Sequence, residues 1–377
     1  MSPIGSPAGS KILYLESLRG IAALTVVLHH FRVNSPITDN NIVSNAWLMV
    51  DFFFALSGFV IALNYQDQIK STRELVIFQA KRFLRLYPLH IVMLLVFVCI
   101  ELAKYLAARY MGVIADNPAF SANDLKSFLQ AITLTQSIFS NDSTWNGPSW
   151  SISAEFYAYI IFGLTVLACR SRSAVYMVVV VLLSLLGAGY VYRSGFTLEI
   201  PRCIFSFFLG VLLFNYARVS RLSVSTRAVS VLALGVVVAL SVKEWSAFEA
   251  TTMIFPPLFG LMILGLVLSP EGGYLKTFLE SRYVVYLGTI SYGIYMIHVA
   301  VWWVVNLILR LVFRFPTIQS EEGGSLVVID NKWLATLLVV IGVATILCLA
   351  HLSYKRVEMP INRLRHRLGR PERNQQA

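Results

Sequence analysis

"SLRGIAALTVVLHHF" occupies Ser17–Phe31. Between Arg19 and the His29–His30 pair the run is apolar apart from one glycine and one threonine. This is the filling of a membrane helix, with a cation at one end and two imidazoles at the other. A polar residue inside a bilayer is costly, so each one in such a stretch calls for a functional hypothesis.

The rest of the chain supports a membrane reading. The 377 residues are 57% hydrophobic and 14% charged, against about 25% charged in an ordinary soluble domain. Mean hydropathy is +0.68. Two soluble domains could not hide so much apolar surface. Stretches of about 17–25 apolar residues, long enough to cross a bilayer as a helix, fall at 13–32, 46–64, 86–107, 149–168, 174–192, 201–217, 228–242, 251–269, 284–309 and 333–353. The expected fold is all-α, a polytopic membrane helix bundle of about ten transmembrane helices. Residues 1–11 form a short N-terminal segment, 12–354 one transmembrane unit, and 355–377 a basic tail.

Orientation follows from Lys and Arg. With the N-terminus inside, one side collects Lys70, Arg73, Lys81, Arg82, Arg85 and the tail. That side holds about twice the Lys and Arg of the other, so both termini are expected in the cytoplasm. The net charge of +11 is then mostly topology and gives no reason to expect nucleic acid. The N-terminal segment lacks a basic n-region and a cleavage site, so the first span is expected to be retained. Cys99, Cys169, Cys203 and Cys348 have neither CxxC nor Cys/His spacing, so neither disulfides nor a metal is expected. The long connection 108–148 carries Leu125, Phe128, Leu129 and Ile132 at helical spacing. It reads as a helix on the membrane surface or over a cavity mouth.

Arg19 and His30 are eleven residues apart, which is about 1100° of rotation, or about 20° from one face. His29 is turned about 80° away, and the rise between Arg19 and His30 is about 16 Å. One helix face thus carries an anion hook and a general base; the bland alternative is a snorkelling arginine and a structural histidine. Asp51 either orients the imidazole or bonds backbone at a helix start. Ser57–Gly58 permits close helix approach. Arg82 and Arg85 share a face and suit a phosphate-rich ligand, or serve as topology charges only. Glu155 sits inside an apolar span and needs a partner. Trp150 and Tyr157 are interface anchors or walls of a sugar-sized cavity. Arg202 is a further cation at a span start, and His298 follows Ser291, Tyr292 and Tyr295 in the ninth span. The sequence has no phosphate loop, HExxH or G-x-S-x-G.

"SLRGIAALTVVLHH" is similar to the R-x10-H signature of the acyltransferase-3 family of integral-membrane acyltransferases. "DFFFALSGFVI", "RFLRLYP", "PSWSISAEFY", "PRCIFSFFLG", "SYGIYMIHV" and "YKRVEMP" resemble its other blocks in the same order, over about residues 12–362. The resemblance implies a bacterial inner-membrane enzyme with a cytoplasmic acyl-CoA donor, acetyl-CoA in the usual case and succinyl as an alternative. The implied acceptor is a hydroxyl of an extracytoplasmic glycan, a lipid-linked saccharide or a similar polyol. Arg19 and His30 match the signature pair, Arg82 and Arg85 the R-x-x-R pair, and Trp150 and Glu155 the fourth-span block. On this reading Arg19, Arg82 and Arg85 hold the CoA phosphates, and His30 is the general base. Asp51 orients it, and Glu155 is a further catalytic candidate. Arg202, Trp150 or Tyr157 binds the acceptor or steadies the oxyanion, and His298 is a further acceptor-side candidate. Membrane lipids surround the bundle, and a homo-oligomer is an option. The competing classes are a transporter of a glycan or organic anion, which would use the same cations as a path, and a scaffold.

Overall fold

The computed structural model describes residues 12–31, 33–112, 117–139, 144–169, 199–246, 249–270, 272–319 and 325–368, with a few residues between 175 and 186. The chain begins with α1 (Leu13–His30), a short α2 (Asn41–Ser44) with a 3-10 turn (Asn45–Leu48), and α3 (Met49–Tyr65). Then come α4 (Thr72–Met111), α5 (Leu125–Ile132), α6 (Gln136–Phe139) and α7 (Trp150–Cys169). After them follow α8 (Glu199–Val219), α9 (Thr226–Val242), α10 (Phe255–Leu268), α11 (Tyr274–Leu279), α12 (Arg282–Thr289) and α13 (Ser291–Leu311). A hairpin of β1 (Thr317–Gln319) and β2 (Ser325–Val327) leads to α14 (Lys332–Ser353), a π-helical turn (Tyr354–Glu358) and α15 (Met359–Arg367).

Seven of the described helical segments are long and apolar enough to cross a membrane. They correspond to the expected spans 46–64, 86–107, 149–168, 201–217, 251–269, 284–309 and 333–353. α1 lies where the first span was expected, but Glu16, Arg19 and two histidines in 18 residues keep it out of that group. α9 is apolar but shorter. The expected span 174–192 falls largely outside the described residues. The 284–309 segment is also not continuous: the helix stops at Thr289 and restarts at Ser291.

Local sequence explains the helix ends that matter here. α4 opens with a capping box, Ser71 Oγ accepting from Glu74 N while Glu74 Oε2 accepts from Ser71 Oγ and Lys70 N. It closes on Gly112 at φ 65°, in the left-handed region that glycine enters freely. At 40 residues it is about 60 Å long, twice the apolar thickness of a bilayer. Arg82 and Arg85 therefore lie on the same helix as the span behind them, just before its internal Pro88. α5 forms where the apolar spacing predicted it. Asp124 caps it by accepting from Ser127 N at 2.7 Å, which holds the Asp124 carboxyl below the usual carboxylate range. Tyr87 and His90 of α4 donate to Ile132 O and Ala131 O and so tie α5 down.

The core is aromatic: Phe59, Phe162, Phe207 and Phe208 are fully buried. α3 packs most extensively on α8. The reason is reciprocal glycine. A Cβ at Gly58 would strike Phe207 O, and one at Gly210 would strike Ala55 O. The close approach that Ser57–Gly58 predicted is thus made against α8. The end of α1 is fixed by Val33, which bridges to Val327 of the hairpin, and by Asn34, which accepts from Ile329 N and Lys332.

Candidate active site

α1, α3, α4, α7 and α13 line a partly open cavity of about 120 Å³. Its cationic end is made by Arg19, Arg82 and Arg85. Tyr159 of α7 stands there beside Arg82, Glu155 lines the wall one turn along α7, and Ser151, a further turn on, meets Tyr295. Ser151, Glu155 and Tyr159 repeat every four residues, so one face of α7 runs along the wall for about 12 Å. Tyr157 is two residues off that face and packs instead beside Phe156, ring centroids 5.9 Å apart. Trp150 is half-buried against Phe54. The structure thus brings Arg19, Arg82, Arg85 and Glu155 together, and leaves Trp150 and Tyr157 out of the lining.

The charges have specific partners. Arg19 Nη1 lies 3.2 Å from Glu16 Oε1. Arg85 Nη1 lies 3.0 Å from Glu358 Oε2, and its guanidinium stands over the Tyr292 ring. Arg82 Nη2 donates to Tyr65 Oη at 2.8 Å and stacks over the Tyr65 and Tyr159 rings. Glu155 has the partner its position demanded: Tyr159 Oη donates to Glu155 Oε1 at 2.6 Å, one helical turn away. Ser57 Oγ joins them at 3.1 Å from Tyr159 Oη.

At the other end, His298 lies just past Tyr295 on α13 and is wholly buried. Its ring meets that of Tyr295 at 5.8 Å and that of His30 at 4.8 Å, centroid to centroid. A carbonyl oxygen can only accept, so each nitrogen facing one carries the proton. His30 Nδ1 is 2.9 Å from Val26 O and His298 Nδ1 is 2.6 Å from Tyr295 O. In the neutral form of either ring Nε2 is then the accepting nitrogen. His298 Nε2 is buried without a hydrogen-bond partner. His29 Nδ1 lies 3.0 Å from Val43 O, and its ring stands 5.1 Å from that of His30, centroid to centroid.

Asp51 does not take the role of orienting His30. Its carboxylate accepts from Arg202 through Nε and Nη2, and from Ser206 Oγ at 3.4 Å. Arg202 also donates to Thr252 Oγ1 at 2.9 Å and stacks over Trp47. Both side chains are buried. The physical reason is charge: a buried carboxylate meets a full countercharge in a guanidinium, which a neutral imidazole cannot supply. Arg202 is accordingly a partner of Asp51 in a saturated network and does not line the cavity. Among the described residues no group of three or more His, Cys, Asp or Glu has the arrangement to hold a metal.

Sequence reading missed Tyr65, Tyr159 and Glu358. Tyr159 had a signal, four residues after Glu155 on one face. Glu358 lay inside "YKRVEMP", an acid among bases. Tyr65 had none.

The family model described as an acyltransferase domain matches residues 12–353. Two curated proteins are similar in part. The acyltransferase MdmB of Streptomyces mycarofaciens is 29% identical over 165 residues, 42% of this chain and 40% of that protein. Protein 2 in the picA locus of Rhizobium radiobacter is 38% identical over 88 residues, 22% of this chain and 42% of that protein. The chain thus spans about two-fifths of the length of the curated relatives it matches. No solved structure matches.

Proposed function

The chain belongs to the acyltransferase-3 family, and on that premise we propose that it is an acyl-CoA-dependent O-acyltransferase of a bacterial inner membrane. It moves an acyl group, acetyl ahead of succinyl, from cytoplasmic acyl-CoA to a hydroxyl of an extracytoplasmic glycan or similar polyol. The observation that carries this reading is one cavity with three arginines at one end and, just beyond its other end, the His298 and His30 rings. Its residues fit the donor: cations for a phosphate-rich head, then a passage about 12 Å long for a thin arm.

His30 Nε2 takes the hydroxyl proton as the acceptor oxygen attacks the acyl carbonyl. The carbon–oxygen bond forms, the carbon–sulfur bond breaks, and the sulfur leaves as a thiol once protonated. Nδ1 stays on Val26 O throughout, which keeps Nε2 the reactive nitrogen. Glu155 and Ser57 hold the Tyr159 hydroxyl between them, which sets the wall beside Arg82.

The test is mass spectrometry of envelope glycans from a deletion strain. Ester groups should disappear and return with the wild-type gene but not with His30→Ala. Unchanged glycans together with a lost uptake of an organic anion would instead favour a transporter.

A further inference from the structure

The arginines around the cavity are unequally neutralised. Arg19 faces Glu16 and Arg85 faces Glu358. Arg82 bonds the neutral Tyr65, and its Nε is buried without a partner. The tail, expected as a basic segment at the membrane surface, continues α14 as a helix that packs along α4. Leu84, Arg85 and Pro88 face Glu358, Ile361 and Asn362 across a narrow gap. Arg365 follows Ile361 by one turn, so it shares the face of α15 that looks at α4. It is partly buried and lies within electrostatic reach of Arg82 and Arg85. Among the described residues no carboxylate forms an ion pair with Arg82 or Arg365. Two half-buried guanidinium groups within electrostatic reach of each other repel unless an anion sits between them.

We propose that Arg82 and Arg365 form a clamp between α4 and α15 that seats a phosphate group of the donor's nucleotide end. This rests on the acyl-CoA reading above. Arg19 and Arg85 are already paired with Glu16 and Glu358. A lipid phosphate has the same chemistry, and the vesicle arm of the experiment separates the two sources.

The experiment is calorimetric binding of adenosine 3′,5′-bisphosphate and of acetyl-CoA to the full chain in detergent. Thermal unfolding is matched between variants first. Arg365→Ala should weaken both ligands by about tenfold, as for one lost charged hydrogen bond, with a shallower salt dependence. Arg365→Lys should fall between. Arg363→Ala, on the exposed face against Met359, should bind like wild type. Equal affinity in wild type and Arg365→Ala, or equal loss in Arg363→Ala, overturns the clamp, as does a wild type that binds neither ligand. Arg365-dependent binding of phosphatidylglycerol vesicles without nucleotide binding overturns the donor assignment. If the bisphosphate binds through Arg365 but no acyl group is ever transferred from acetyl-CoA, the clamp stands and the proposed function fails.

Discussion

The His30 and His298 imidazoles meet edge to face, ring centroids 4.8 Å apart with planes at 69°. α1 and α13 bring them together just past the end of the cavity that Tyr295 closes. His30→Ala should reduce acyl transfer by about 10²–10⁴-fold, the usual loss for a general base, while acyl-CoA binding survives. His29→Ala should keep much of the activity, because that ring serves Val43 O. The measurement is acyl transfer by purified variants of matched folding. An inactive His29→Ala beside an active His30→Ala would reverse the assignment.

The buried Arg202–Asp51 pair is expected to act on stability first. Arg202→Ala strands a carboxylate, a change that costs about 3–5 kcal/mol. The double change Arg202→Met with Asp51→Asn should cost less than the sum of the singles. Thermal unfolding in detergent reads both. A folded, fully stable Arg202→Ala protein that has lost transfer would give the arginine a chemical role instead.

Arg85 and Glu358 are joined through Oε2 from 273 positions apart, and Glu358 Oε1 is buried without a hydrogen-bond partner. Glu358→Ala should therefore loosen α15 from α4, seen as faster proteolysis of the tail. Adding Arg85→Ala should deepen the effect little, since the partner is already gone. Strict additivity would mean that the two side chains do not depend on each other.

Gly58 and Gly210 hold α3 and α8 at backbone contact. Gly210→Val should cost about 1–3 kcal/mol or more through overpacking. Gly235, with open space around its Cβ position, should accept alanine with no loss. Comparing the two melting temperatures checks this; equal values would remove the contact as a source of stability.

Both termini are expected on the cytoplasmic side, with residues 108–148 outside. Cysteine labelling at 110 and 368 in intact cells should modify only the former. Labelling of both from outside would end that topology.

The apolar lengths and the Arg19–His30 face were legible because helical periodicity is local: a turn depends on residues three and four apart. Arg82 with Arg85, and Glu155 with its need for a partner, were legible on the same ground. The partners themselves were not. Asp51 takes Arg202 from 151 positions away, Arg85 takes Glu358 across most of the chain, and His298 stands where Asp51 was expected. The break at Ile290 was also hidden, since the apolar run continues through it. Hydropathy marks a segment as membrane helix, but lipid tails are as apolar as leucine, so it cannot say which helices become neighbours. That choice falls to backbone approach at glycines such as Gly58 and Gly210, and to the demand of each buried charge for a countercharge. Both are satisfied only once the bundle is assembled.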